Sequence, residues 1–265
     1  MRRVAPLLIL SVLAAGGGPA MAGQTACWFE NGAIVAPAAI GGLAGDYVID
    51  LSAPRTLLHI DVAQGQGYAD TVPLPVRLAG QRVDAAPVTV QSLDYRAVGF
   101  STPILGVIGA DILDHYLVTL DFHPCRLELA PLGTRFKVQG EARRVVMVGG
   151  VPTIVAAASD GLTGVSGPFA LDTASGGGVR ARGAADGPRQ KPAGTLRGLS
   201  LGGTLRQDLP AVVAGDLPDG VVGALGVRVL SAYRLRLDPK ALRLWLTPAA
   251  VLVAKEKGPG VSAEP

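Results

Sequence analysis

The chain has 265 residues, of which 49% are hydrophobic and 17% charged, so it can form one large or two small folded domains and is too apolar for general disorder. Its net charge is +3, its basic residues are scattered, and only 5% of its residues are aromatic, which argues against a nucleic-acid-binding protein. The 36 glycines and 20 prolines indicate many short strands joined by tight turns.

The N-terminus is predicted to be a secretory signal peptide covering residues 1–22. Arg2 and Arg3 form a charged start, Val4–Ala15 is an apolar core, and Ala20-Met21-Ala22 is a small-residue cleavage site. No later stretch reaches the roughly 18 apolar residues that a membrane-spanning helix needs. We therefore expect a periplasmic or secreted protein with no transmembrane segment after signal removal.

The two cysteines, Cys27 and Cys125, predict one disulfide, because an even number of cysteines in an oxidising compartment favours pairing. The alternative is lipidation of Cys27. A lipidation signal requires an apolar residue three positions before the cysteine, where this chain has Gln24, so the disulfide is preferred.

An internal repeat organises the rest of the chain. The segments Gly106–Pro131 and Gly223–Pro248 align without a gap and share ten identical residues. The identical positions in the first segment are Gly106, Gly109, Leu113, Tyr116, Leu120, Asp121, Arg126, Leu127, Leu129 and Pro131. We expect a duplication with two homologous units.

The repeat extends upstream to two aspartates that each follow an apolar strand. Tyr47–Ile49 precedes Asp50, and Phe169–Leu171 precedes Asp172. A strand that ends in an acid and then enters a turn of small residues presents one carboxylate beside exposed backbone. The sequence therefore predicts one such carboxylate in each unit.

Each unit is predicted to be all-β with one short helix. Glycine-centred hairpins follow the aspartates at Gly80 and Gly202, and the helices are predicted at Ala110–Tyr116 and Val227–Tyr233. Gly140–Arg144 is expected to link the units.

Two carboxylates that meet across such units share a single proton, because both cannot ionise at short distance. A pair of this kind can activate water as a base and protonate a carbonyl as an acid. It would hydrolyse a peptide bond with no metal and no cofactor. The Gly80 and Gly202 hairpins are then possible flaps over a cleft between the units.

This order of motifs resembles the retropepsin-like aspartic proteases, and the two copies in one chain are similar to bilobal, pepsin-like and exported bacterial aspartyl-protease-like proteins. The resemblance implies an all-β, bilobal acid-protease-like β-barrel fold with Asp50 and Asp172 as catalytic residues. It also implies that Thr173, Ser52, Gly109 and Gly226 support the site. The implied division is a signal peptide at 1–22, an N-terminal lobe at 23–138, a C-terminal lobe at 139–250 and a loose tail at 251–265.

Two functions follow from the resemblance. The first is an exported aspartic endopeptidase, a monomer acting on peptides or unfolded proteins. The second is a catalytically degenerate relative that binds a peptide or an envelope partner. The second is motivated by Leu51, Ser52 and Ala174, which stand where the family has a hydroxyl residue and glycines, and by Pro54, which stiffens the first turn.

Two other features of the sequence are a glycine-rich segment and three histidines. Gly176–Gly187 is rich in glycine and carries Arg180 and Arg182. It could hold an anion, and a mobile loop beside the site is the preferred interpretation. The only histidines, at positions 59, 115 and 123, have no spacing typical of a metal site.

Overall fold

The structure, a computed structural model, describes residues 21–94, 99–137, 140, 142–182, 194–213 and 217–249. The predicted signal peptide lies outside these residues except for Met21 and Ala22, and the predicted tail at 251–265 lies wholly outside them. In the described part of the chain no helix is long and apolar enough to cross a lipid bilayer.

The first half of the described chain contains ten strands and two short helices. They are β1 (Gly23–Ala26), β2 (Trp28–Glu30), β3 (Ala33–Ile40), β4 (Leu43–Ile49), β5 (Leu57–His59), α1 (Ile60–Gln64), β6 (Thr71–Leu78), β7 (Gln81–Gln91), β8 (Ile104–Ile108), α2 (Ala110–Leu113), β9 (Tyr116–Phe122) and β10 (Cys125–Pro131).

The second half of the described chain contains eleven strands and one short helix. They are β11 (Ala142–Val148), β12 (Val151–Ser159), β13 (Gly164–Leu171), β14 (Val179–Ala181), β15 (Gly194–Leu196), β16 (Gly198–Leu201), β17 (Thr204–Arg206), β18 (Leu209–Val213), β19 (Gly223–Leu225), α3 (Val227–Leu230), β20 (Tyr233–Asp238) and β21 (Arg243–Pro248).

The two halves have the same central strand order and the same strand directions. In the first half the order is β3-β4-β8-β5-β7, and in the second it is β12-β13-β19-β14-β18. In both, the second strand pairs in parallel with the third, and the fourth pairs in parallel with the fifth. A pairing of β6 with β3 closes the first set into a barrel. The fold is all-β and bilobal, as the sequence predicts, whereas an origin by duplication stays a prediction.

A six-stranded antiparallel sheet, which we call the connecting sheet, joins the two lobes. Its order is β1-β10-β9-β20-β21-β11, and β9 meets β20 at its centre, where Leu120 pairs with Leu235. The Arg234 guanidinium donates to both carboxylate oxygens of Asp121 across this pair. Since Asp121 and Arg234 come from different lobes, this two-point ion pair helps to fix the lobes relative to one another.

The short helices end earlier than the sequence predicts. α2 ends at Leu113 and α3 ends at Leu230 because Tyr116 and Tyr233 begin strands that pair with the following strands of the connecting sheet. The helix α1 has no counterpart among the sequence predictions. This helix has only five residues and lies directly after a strand. Hydrophobic periodicity in so short a segment cannot distinguish a helix from a strand or a loop.

Part of the segment predicted to link the units is a strand. Residues 142–144 begin β11 and pair with β21, so the chain enters the second lobe along the edge of the connecting sheet. Likewise, residues 179–181 of the predicted glycine-rich loop form β14, which pairs with β18 and β19.

The predicted disulfide is confirmed, because Cys27 and Cys125 are bonded to one another. The Cys27 amide also donates to the Cys125 carbonyl at 3.2 Å, beside the pairing of β1 with β10. The disulfide therefore fastens the end of β1 to the start of β10 within the connecting sheet.

Replacing both cysteines by alanine is expected to lower the free energy of unfolding by about 2–5 kcal/mol, because the bond closes a loop of 98 residues in the unfolded chain. Denaturant unfolding without reductant measures the loss. A reducing agent should destabilise the wild type by a similar amount and leave the double variant unchanged. Equal unfolding midpoints for wild type and variant would contradict the prediction.

Candidate functional site: two buried aspartates at the lobe interface

Asp50 lies directly after β4, and its backbone amide donates to the Ile108 carbonyl of β8 at 3.0 Å. The Asp50 carboxylate accepts two hydrogen bonds at Oδ1, from the Ser52 amide at 2.8 Å and from the Ser52 hydroxyl at 2.6 Å. Asp50 is only 1% exposed. These bonds stabilise and orient the carboxylate, which would be costly to bury without them.

Asp172 occupies the corresponding place in the second lobe. It follows β13, and its backbone amide donates to the Leu225 carbonyl of β19 at 2.9 Å. Its Oδ1 accepts from the Ala174 amide at 3.1 Å, and the residue is 3% exposed. Both acids therefore accept from the amide two residues further on. Neither Ser52 nor Ala174 has a positive φ, so a side chain at these positions does not strain the backbone.

Thr173 joins the two acid-bearing loops. Its hydroxyl donates to the Ile49 carbonyl at 2.7 Å and accepts from the Leu51 amide at 3.0 Å. Ile49 and Leu51 are the chain neighbours of Asp50, and Thr173 directly follows Asp172. The completely buried hydroxyl thus holds the Asp172 loop directly against the Asp50 loop. Leu51 has no hydroxyl to return the bond, and its side chain packs instead into the hydrophobic core.

The two carboxyl groups interact electrostatically. The pKa of Asp172 is raised above its ordinary value, first because the group is buried and second because of the negative charge of Asp50. The positive charge of Arg180 acts in the opposite direction. Burial and the charge of Asp50 therefore raise the pKa of Asp172 and favour its protonated form.

Arg180 is the part of this site that sequence reasoning missed. Its Nη2 lies 2.8 Å from Asp172 Oδ2, so the guanidinium forms an ion pair with one of the two acids. In the sequence Arg180 is recognisable only as a possible anion-binding residue of a glycine-rich loop, whereas the structure places it in the strand β14.

The glycines Gly109 and Gly226 lie where backbone segments approach closely. A Cβ on Gly109 would lie 2.7 Å from the carbonyl oxygen of Ala53, and one on Gly226 would lie 2.2 Å from that of Gly177. Each glycine therefore lets a short helix begin against the loop that carries the acid of its own lobe. Gly109 also donates through its amide to the Thr56 hydroxyl.

The two predicted flap hairpins contact the edges of the connecting sheet. The turn at Gly80 lies against Gly23 of β1, and a Cβ on Gly202 would overlap the Arg143 guanidinium of β11. Gly80 and Gly202 both have positive φ, as tight hairpin turns require. The contacts of these turns are with β1 and β11, and a flap role for them stays a prediction.

Two other turns contact the acid-bearing loops from the opposite lobe. Gly32, between β2 and β3, packs so closely on Gly176 that a Cβ would lie 2.5 Å from the Gly176 amide nitrogen. Gly150, between β11 and β12, lies against Pro54, to which its Cβ would come within 3.3 Å. The dipeptides Asn31-Gly32 and Gly149-Gly150 are typical of hairpin turns, but their sequence carries no signal that these turns reach the opposite lobe.

Among the described residues, His59, Asp61 and Asp94 bring possible metal-ligand atoms within 4.8 Å of one another. The imidazole already has partners within the chain, since Nδ1 accepts from the Asp61 amide and Nε2 lies 3.2 Å from Asp94 Oδ1. Both aspartates are exposed, so hydrogen bonding around the histidine accounts for this cluster.

Comparison with solved structures decides the architecture. The aspartic proteinase from Irpex lacteus superposes on 86% of this chain and 98% of its own chain, with a TM-score of 0.54 and 13% sequence identity. The fold is that of a pepsin-like aspartic proteinase. No protein-family profile and no curated protein sequence matches this chain. At this level of identity the likeness establishes the aspartic-proteinase fold and leaves activity to be argued from the site.

Proposed function

We propose that the protein is an exported aspartic endopeptidase in which Asp50 and Asp172 hold the attacking water between an N-terminal lobe, 23–138, and a C-terminal lobe, 139–250. The observation that carries this proposal is the Thr173 hydroxyl, which bonds to both backbone neighbours of Asp50 and so holds the loops that carry the two buried acids against one another. The predicted signal peptide and the disulfide support a periplasmic or secreted location.

The chemistry divides between the two acids according to their surroundings. Asp172, whose pKa is raised by burial and by Asp50, keeps the proton and donates it to the carbonyl oxygen of the peptide bond. Asp50 takes a proton from water, and the resulting hydroxyl oxygen attacks the carbonyl carbon. The tetrahedral intermediate then expels the amine, which receives a proton from the pair as the C–N bond breaks. The reaction needs no metal and no redox partner.

The first test is hydrolysis of an unfolded protein by the mature chain across a range of pH. We expect cleavage on the acid side of neutrality, and a rate that falls as pH rises through the raised pKa of Asp172, because the proton that this carboxyl must donate is then lost. The fall should occur at a higher pH than an unperturbed aspartic acid would give. If no cleavage occurs at any pH, the peptidase proposal is wrong.

A second candidate is a peptide-binding protein that does not hydrolyse its ligand. The specific observation in its favour is the ion pair between Arg180 and Asp172, since the guanidinium lies on a carboxylate oxygen that an attacking water would need. This candidate predicts peptide binding that is unchanged when Asp50 is replaced by asparagine. It is the function that remains if the hydrolysis test fails.

A further inference from the structure

Arg180 faces the acid pair because of a one-residue difference in register between the lobes. Val107 of the first lobe and Ala224 of the second are equivalent positions of the repeat. Val107 pairs with Leu57, whereas Ala224 pairs with Arg180. The strands β5 and β14 begin at the same distance after their aspartates, at Leu57 and Val179. Since a shift of one residue turns every side chain of a strand to the other face, Arg180 takes the place that Leu57 has in the first lobe.

The neighbouring strands leave room for this long side chain. Arg180 pairs with Ala224, and Ala224 pairs with Ala170 of β13. The arginine and the two alanines are therefore neighbours on the same face of the sheet. Both alanines are buried. Small side chains at these two positions let the guanidinium extend along the sheet to Asp172, which lies two residues beyond Ala170.

The side chain of Arg180 is also the part of the ion pair that solvent contacts most. It is 24% exposed, compared with 4% for the side chain of Asp172. Arg182, two residues further along the chain, is different, because its guanidinium donates to the carbonyls of Leu217, Pro218 and Val221. Arg182 therefore stabilises the loop before β19, whereas Arg180 binds Asp172, the acid on which the proposed chemistry depends.

Hydrolysis requires the bond between Arg180 and Asp172 to weaken. Protonation of Asp172 removes the negative charge that this carboxyl presents to the guanidinium, so the ion pair between them weakens. A carboxylate on the ligand can take over this role, because the planar guanidinium binds carboxylates through two parallel hydrogen bonds. Such a ligand would pair with Arg180 and free Asp172 Oδ2 in the same step.

We propose that Arg180 determines the specificity of this site by selecting peptides that carry a carboxylate close to the bond positioned at Asp50 and Asp172. The carboxylate belongs either to a glutamate or aspartate side chain or to the C-terminus of the peptide. This inference rests on the proposed function for the position of the peptide, and its test uses binding as well as cleavage.

The binding test uses Asp172→Asn, which removes the acid that competes for Arg180. Four matched peptides distinguish the carboxylate sources: glutamate or glutamine at one position, each with a free or an amidated C-terminus. In calorimetric titrations we expect the preferred carboxylate to give about tenfold tighter binding than its neutral counterpart, as one charged hydrogen-bonded pair contributes. The preference should disappear in the double variant Asp172→Asn/Arg180→Met and persist in the control Asp172→Asn/Arg126→Met, since Arg126 is an exposed residue of β10.

Arg180→Lys provides a second route if the methionine variant does not fold. Lysine keeps the charge but not the two-point geometry, so the preference should shrink without vanishing. Equal affinities for all four peptides in Asp172→Asn, or an unchanged preference in either Arg180 variant, would overturn the inference.

Cleavage by the wild type separates this inference from the proposed function. Arg180-dependent binding of acidic peptides without hydrolysis would refute the peptidase and support the specificity. Hydrolysis at equal rates of the glutamate and glutamine peptides, with free and amidated ends alike, would support the peptidase and refute the specificity.

Discussion

Replacement of either Asp50 or Asp172 by asparagine is expected to lower the rate of peptide hydrolysis about 10²- to 10⁴-fold, the contribution of a positioned general acid or base. An amide can neither take the proton from water nor share one with the remaining carboxylate. Asparagine keeps the size of the side chain and an oxygen that can accept the Ser52 or the Ala174 amide bond. The loss should therefore appear in kcat, and an unfolding curve for each variant checks that it is folded.

Asp238→Asn is the matched control for these two variants. Asp238 also belongs to the sequence repeat and ends a strand, but its carboxylate accepts from the Ala241 amide in a turn of the connecting sheet. Its replacement should leave the rate of hydrolysis unchanged. Full activity in both the Asp50→Asn and Asp172→Asn proteins would exclude the acid pair from the chemistry, whatever the fold.

The position of the two acids could be predicted from sequence because the cause is local. An apolar strand that ends in aspartate and a small-residue turn occurs at Asp50 and again at Asp172, and the spacing of the repeat connects the two. The disulfide was predictable for a similar reason, since the chain has only two cysteines to pair. In both cases the sequence offers very few alternative residues, namely one aspartate after the apolar strand of each unit and one possible pair of cysteines.

Arg180 could not be predicted in the same way, because its orientation depends on strand register. The segment Val179–Ala181 is short, and its residues give no sign of which face turns toward the acid pair. Only the pairing of Arg180 with Ala224 shows which face of the sheet the arginine side chain occupies. The same limit applies to Asp121, which is recognisable in the sequence only as a repeated position and which the structure shows in an ion pair with Arg234 of the other lobe.

The departures from the family motif have different structural consequences. Ala174 donates its amide to Asp172, and Ser52 donates both an amide and a hydroxyl to Asp50, so each acid is bonded to the residue that stands at the glycine position of the motif. Leu51 removes one of the two hydroxyls that could cross between the loops. The hydroxyl-mediated hydrogen bonds between the two loops therefore depend on Thr173 alone, and we expect this residue to be unusually sensitive to substitution.

Thr173→Val is accordingly expected to lower the free energy of unfolding by about 2–5 kcal/mol. Valine has nearly the same shape, so the packing is kept, but the Leu51 amide loses its acceptor and the Ile49 carbonyl loses a donor in a fully buried place. Each buried polar group left without its hydrogen bond costs about 1–3 kcal/mol. Urea unfolding measures the change.

Two further variants identify the cause of that loss. Thr173→Ser keeps the hydroxyl and should lose only about 1 kcal/mol, for one buried methyl group. Thr153→Val replaces an equally buried threonine whose hydroxyl makes a single bond, to Val146 within the same hairpin, so its cost should be smaller and the activity unchanged. Thr173→Val should also reduce hydrolysis, because the Asp172 loop is no longer held against the Asp50 loop. If Thr173→Val were as stable and as active as Thr173→Ser, the hydroxyl would not be what keeps the two acids together. The connecting sheet and the contacts of Gly32 with Gly176 and of Gly150 with Pro54 would then have to hold them.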